Sequence, residues 1–219
     1  MSDFPAPALH VAGAAVERAN RALLLVHGRG GSAREMLSLG AEVVPAALRA
    51  ETALLAPQAA AGTWYPNRFI APVASNEPHL SLALEALAGV VAFLAQAGLP
   101  PERLLLAGFS QGACLVLEFV ARRPQRYGAV AGLSGGLIEN GDLPRHYTGS
   151  LAGTPLFLGC SDVDSHIPLE RVERSASLLT GLGAKVDKRI YPAMGHTVNA
   201  DEIAALQKLV MDLGESQTV

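Results

Sequence analysis

Short apolar runs recur along this chain at the length of buried strands: Ala22 to Val26, Ala53 to Ala56, Leu104 to Gly108, Ala129 to Leu133, Leu156 to Gly159 and Val186 to Tyr191. Runs of this length and character read as buried strands of a parallel sheet, although the last of them carries Asp187, Lys188 and Arg189. Most are followed by a turn and then by apolar residues at helical spacing. Leu80, Leu84, Leu87, Val91 and Leu94 line one helical face, and Gly98 with the Pro100-Pro101 pair stops that helix. Ile203, Leu206, Val210 and Leu213 mark a last helix, with Asn199 placed to cap its start and Glu202 three residues on as the reciprocal partner. Strands alternating with helices imply right-handed crossovers, and so an α/β fold: a three-layer α/β/α sandwich around a mostly parallel sheet. Ligands in such sheets gather at the carboxyl ends of the strands.

The 219 residues suffice for one well-buried core, and half of them are apolar while 17% are charged, so a single domain over residues 1–219 is expected. Lys plus Arg number 17 against 20 Asp plus Glu, a formal net charge of −3, and no basic block could follow a phosphate backbone. Nucleic acid is therefore not an expected partner. Met1-Ser2-Asp3-Phe4-Pro5 lacks a basic region followed by an apolar stretch, and no run of about 18 apolar residues appears, so neither export nor a membrane span is indicated. Cys114 and Cys160, the two cysteines, both sit in apolar runs and are too few for a disulfide framework, which reads as a reduced, cytoplasmic protein. Residues 58–78 are poor in regular pattern, either a functional cover or an ordinary loop.

Gly108-Phe109-Ser110-Gln111-Gly112 matches G-x-S-x-G, the nucleophile elbow, in which a strained strand-to-helix turn lifts a serine hydroxyl above the sheet. Gly132-Leu133-Ser134-Gly135-Gly136 matches it too and also follows a strand. Context separates the two. A helical run from Gln111 to Val120 follows Ser110, and its N-terminus would stabilise a developing oxyanion, whereas Ser134 is followed by two glycines and no helical pattern. Ser110 is the expected nucleophile and Ser134 a residue of a glycine-rich turn. The elbow supplies one oxyanion donor from the backbone of the next residue, Gln111.

Together with His27-Gly28-Arg29-Gly30-Gly31 and Met194-Gly195-His196, this elbow resembles the phospholipase/carboxylesterase family of α/β-hydrolases, which includes the acyl-protein thioesterases. The likeness runs from the strand before His27 to the helix after His196. It implies the α/β-hydrolase fold, a backbone N–H of Arg29 as the second oxyanion donor, and a loop-shaping rather than catalytic role for His27. Arg29 stands where the family more often has an apolar residue, so its side chain either brings positive charge beside the substrate or points to solvent.

A serine nucleophile needs a base that titrates near neutrality, and imidazole meets that with least perturbation. His196 lies in a loop between the last strand and the last helix, where its ring could reach the nucleophile from above. It also completes the serine, acid, histidine order of α/β-hydrolases. The strand from Leu156 leads to Cys160-Ser161-Asp162-Val163-Asp164-Ser165-His166-Ile167-Pro168, which offers two carboxylates. The resemblance favours Asp164, since Asp164-Ser165-His166-Ile167-Pro168 reproduces the family's aspartate, two residues, aliphatic, proline pattern; Asp162 stands in reserve. His166 reads as a loop histidine touching substrate, because no second and third metal ligand follow at turn or helical spacing. No metal and no cofactor are expected, and neither cysteine has an obvious histidine partner that would make it a nucleophile.

Trp64-Tyr65-Pro66-Asn67-Arg68-Phe69 concentrates aromatics in the irregular segment. By resemblance it borders the acyl pocket, with Trp64 and Tyr65 touching substrate; buried aromatics would equally pin the loop to the body. Few charges flank these motifs, which suggests an uncharged acyl group of short or medium length on a small-molecule ester or thioester. The expected reaction is hydrolysis through an acyl-enzyme, the same serine would serve an acyltransferase, and a binding protein could retain the fold without the chemistry.

Overall fold

The computed structural model describes residues 7–141 and 143–213; Met1-Ser2-Asp3-Phe4-Pro5, read above for a leader, lie outside them. The seven strands among the described residues join one sheet: β1 (Ala8–Gly13), β2 (Arg21–Val26), β3 (Thr52–Gln58), β4 (Leu104–Phe109), β5 (Ala129–Leu133), β6 (Pro155–Ser161) and β7 (Lys185–Tyr191). The spatial order is β1-β3-β2-β4-β5-β6-β7, parallel throughout except for β1, which runs antiparallel to β3. The apolar runs are strands β2 to β7, and the architecture is the α/β-hydrolase one. Strand β1 has no counterpart among them: it is exposed along its whole length and is defined by its pairing with β3, from Ala8 opposite Gln58 to Gly13 opposite Ala53.

Among the described residues five α-helices cover the sheet: α1 (Ala33–Val43), α2 (His79–Gln96), α3 (Gln111–Arg122), α4 (Leu169–Gly181) and α5 (Ala200–Asp212). Side chains alternate between faces along each strand, so β2 sends Leu23 and Leu25 into one core with α1 and α5. Ala22, Leu24 and Val26 enter the other, with α2, α3 and α4. Helix α2 has the length and apolarity of a membrane span, but Leu80, Leu84, Leu87, Val91 and Leu94 are buried in that second core, as in the core helix of an α/β protein. Its predicted stop holds, with Gly98 at φ 89° just beyond its end. Helix α5 opens on the expected reciprocal cap between Asn199 and Glu202, and α1 on a like pair, Ser32 and Glu35, that the notation S-x-x-E also encodes.

Strands β2 and β4 are neighbours, with Val26 opposite Gly108, while β3 lies beyond β2 and β5 beyond β4. Chain direction across the sheet reverses between them, which opens a crevice at their carboxyl ends. The loop from His27 and the turn at Ser110 both leave the sheet there.

Candidate active site

Ser110 has φ 54° and ψ −118°, a conformation that costs a non-glycine residue of order 1–3 kcal/mol. Its backbone N–H donates to the Leu133 carbonyl at 2.9 Å, which holds the turn against the next strand. The flanking glycines are steric necessities. A Cβ on Gly112 would lie 2.1 Å from the Val26 carbonyl oxygen, and one on Gly108 would lie 2.4 Å from the Gly112 carbonyl carbon. Helix α3 begins at the next residue, so the Gln111 N–H belongs to the first turn, where no intrahelical acceptor exists. Ser134 repeats part of this geometry one strand over, with φ 48° and its N–H bonded to Gly159. Its hydroxyl, however, is fully buried with no partner among the described residues, and no helix follows it.

Ser110 Oγ lies 2.8 Å from His196 Nε2, and His196 Nδ1 lies 2.7 Å from Asp164 Oδ2. With Nδ1–H donating to the carboxylate, Nε2 is left free to accept the serine proton. The Asp164 side chain is wholly buried, and its other oxygen accepts from the His166 and Ile167 N–H groups at 2.8 and 3.0 Å. Burial alone would push this carboxyl up; the bonds from His196, His166 and Ile167 outweigh it and hold Asp164 below the usual aspartate value. The turn that supplies those two N–H groups leads through Pro168 into α4. Asp162 faces elsewhere, accepting from the Ala193 N–H at 2.8 Å.

On the opposite side of Ser110 the glycine-rich loop is braced by Gly30 N–H to Gly62 at 2.8 Å. His27 is buried, with Nδ1–H donating to the Gly28 carbonyl at 2.7 Å and Nε2 accepting from the Ala59 N–H at 3.1 Å. Desolvation lowers its pKa, which keeps it neutral and committed to shaping the loop. Of the two courses open to the Arg29 side chain, it takes the one toward the cleft. It borders the cleft, and its Nη2 donates to the carbonyls of Tyr65 and Asn67, both at 2.9 Å.

That contact is one of several that fasten the irregular segment over the crevice. Gln111 accepts from the Trp64 N–H at 3.0 Å and donates to the Tyr65 carbonyl at 2.7 Å, while Asn76, fully buried, accepts from the Asn67 N–H at 2.8 Å. Trp64 sits beneath the loop rather than in the cleft: its ring packs on His27 at 4.9 Å and its Nε1–H donates to the His27 carbonyl at 2.8 Å. Its aromatic bulk serves as a pin, and the cavity it lines, with Ala59, Thr63, His79 and Leu82, is not the one that holds Ser110. Tyr65 is buried against Cys114 and forms part of the wall of a cleft of about 270 Å³ that Phe69, Phe109, Ser110, His166, Ile167 and His196 also line. The His166 ring meets His196 edge-on at 4.8 Å.

Burial pushes the thiols of Cys114 and Cys160 up to about 12, so neither furnishes a thiolate near neutral pH. No group of three or more His, Cys, Asp or Glu side chains is arranged to hold a metal among the described residues. The Gln111 side chain, Asn67 and Arg68 were not singled out from sequence. Gln111 was noted for its backbone alone, and nothing local marks the other two: Arg68 bonds the His166 loop far along the chain, and Asn67 meets Arg29 as well as the nearby Ser75 and Asn76.

Known proteins bear the same arrangement of strands and motifs. The sequence model of the phospholipase/carboxylesterase family matches residues 10–212. A phospholipase/carboxylesterase from Dyadobacter fermentans, known from its crystal structure, is 36% identical and superposes with a TM-score of 0.88 over 96% of this chain and 99% of that one. Esterase PE8, 24% identical, shares the fold with a TM-score of 0.77 over 93% and 97%. Acyl-protein thioesterase 1 of Gibberella zeae is 35% identical over 109 residues, 48% of this chain and 46% of its own length. The Saccharomyces cerevisiae thioesterase of the same name is 29% identical over 126 residues, 52% and 51%. The chain spans about half the length of the curated relatives it matches. With the family model running from the first strand to the last helix, the chain belongs to the phospholipase/carboxylesterase family.

Proposed function

We propose that this protein is a cytoplasmic serine hydrolase that cleaves small carboxylic esters or thioesters through an acyl-enzyme, with Ser110 as nucleophile, His196 as base and Asp164 as its orienting carboxylate. The observation that carries this reading is the continuous chain from Ser110 Oγ to His196 Nε2 at 2.8 Å and from Nδ1 to Asp164 at 2.7 Å. In it, Ser110 Oγ attacks the acyl carbon while His196 Nε2 takes the serine proton, and Asp164, held ionised, stabilises the imidazolium. The carbonyl oxygen becomes an oxyanion facing the N–H groups of Arg29 and Gln111. Collapse of that intermediate breaks the bond to the leaving oxygen or sulfur, which receives the proton from His196. Water, deprotonated by the same imidazole, then attacks the acyl-enzyme and restores Ser110.

A cleft of about 270 Å³ sits near the lower end of ligand-pocket volumes, which supports short to medium acyl chains. Tyr65 and His166 are its proposed substrate contacts. The test is hydrolysis of p-nitrophenyl acetate and butyrate by purified protein in the presence of EDTA. Turnover that survives chelation and disappears in Ser110→Ala is the expected result; turnover that needs added metal, or that persists in Ser110→Ala, would refute the reading.

A further inference from the structure

Two guanidinium groups border the cleft beside Ser110, and neither has a carboxylate partner among the described residues. Arg29 donates through Nη2 to the Tyr65 and Asn67 carbonyls, both at 2.9 Å, and Arg68, the residue after Asn67, donates through Nη2 to the His166 carbonyl at 3.0 Å. Elsewhere Arg122 and Arg145 meet Glu118, Arg171 and Arg174 meet Glu139, and Arg189 meets Asp187 and Asp201, while Arg21, Arg49 and Arg126 bond backbone carbonyls away from the cleft. No acidic residue lines the cleft. The two nearby aspartates are already engaged, Asp164 with His196 and Asp162 with the Ala193 N–H.

Anchoring an arginine on carbonyl oxygens fixes its plane without neutralising its charge. It also leaves the Nε and Nη1 donors of both arginines without a protein acceptor among the described residues, so each can give a single charge-assisted hydrogen bond to an anionic oxygen of a ligand. The anchoring carbonyls belong to the segment that roofs the cleft and to the His166 loop beside His196, so both charges are held at the rim through which a substrate reaches Ser110. A neutral ester would leave them facing water. We infer that the cleft selects esters or thioesters bearing a second, anionic group, a carboxylate, which Arg29 and Arg68 hold while Ser110 reacts at the ester carbon. This refines the substrate class of the hydrolase proposed above and rests on that reading.

The test compares p-nitrophenyl butyrate with mono-p-nitrophenyl glutarate, whose carboxylate is on the acyl half, and phenyl butyrate with 4-carboxyphenyl butyrate, whose carboxylate is on the leaving group. Each rate is corrected for reactivity toward hydroxide. The anionic member of at least one pair should be preferred by about tenfold or more in kcat/KM, the increment that charge-assisted hydrogen bonds typically bring. That preference should shrink as salt is raised, fall by about fivefold or more in Arg68→Gln, and be better retained in Arg68→Lys. Preference for the neutral ester in both pairs would overturn the inference. So would an anionic-to-neutral ratio unchanged in Arg68→Gln, since equal losses on both esters would place the guanidinium charge on the reaction's own oxyanion. If no ester is turned over, the hydrolase reading itself fails, and calorimetry with glutarate decides the anion site separately. Binding to the wild type that is lost in Arg68→Gln supports it, and absence of binding ends it.

Discussion

Asp162 accepts a hydrogen bond from the backbone N–H of Ala193 at 2.8 Å, so the carboxylate two residues before Asp164 holds the loop that carries His196 and leaves the histidine to its neighbour. Ala193 needs the support, since it is held at φ 53°. Asp164→Asn should therefore lower kcat by on the order of 10³ or more, through loss of imidazolium stabilisation and preference for the wrong tautomer. Asp162→Asn, whose amide oxygen can still accept from Ala193, should cost far less. Steady-state kinetics on variants with wild-type melting temperatures make the comparison, and a larger loss in Asp162→Asn would reverse the two assignments.

A fluorophosphonate should label Ser110 and spare Ser134. Both serines have a positive φ, but the Ser134 hydroxyl is buried without a partner among the described residues while that of Ser110 contacts His196. Peptide mapping of the adduct decides this, and modification of Ser134 would contradict the proposed chemistry.

Gly112→Ala should destabilise the fold severely, by several kcal/mol, because the added methyl would sit 2.1 Å from the Val26 carbonyl oxygen and must push α3 away from β2. Denaturant unfolding, or failure to recover soluble protein, reports this. A variant as stable as the wild type would show that the helix can shift at little cost.

Glu202 predicts a pH effect on stability. It is fully buried at the start of α5, with Oε2 accepting from the Asn199 N–H at 2.9 Å and Oε1 lacking a partner among the described residues. Burial raises its pKa from 4.5 to about 7, opposed by the Asn199 N–H and reinforced by the charge on Asp201. The native state thus holds this proton more tightly than the unfolded chain does. The associated stability is fully present below about 4.5 and is lost as pH rises through about 7. Glu202→Gln, neutral throughout, should gain melting temperature over the wild type on going from pH 5 to pH 8. A difference that stays constant across that range would mean the carboxyl titrates normally.

What the sequence determined by itself was whatever local pattern carries. Apolar runs with no polar face had to become β2 to β6, the glycines around Ser110 could be spaced that way only for a tight strand-to-helix turn, and Asn199 with Glu202 marks the start of α5 three residues after His196. Strand β1 escaped because an exposed edge strand is defined by its hydrogen-bonding partner and carries no burial signal. The local pattern offered two carboxylates and only the family resemblance favoured Asp164; in the tertiary structure Asp164 faces His196 and Asp162 turns to Ala193, since the two share one loop and differ in direction. The tertiary structure also turned Trp64 from an expected substrate contact into a pin on His27, and brought Arg29 and Arg68 to one cleft that the charge pattern had suggested was neutral. The physical reason is common to all three. A side chain's role at this site depends on which loops meet above the carboxyl ends of β2 and β4, and that meeting is set by strand order, which no stretch of neighbouring residues records.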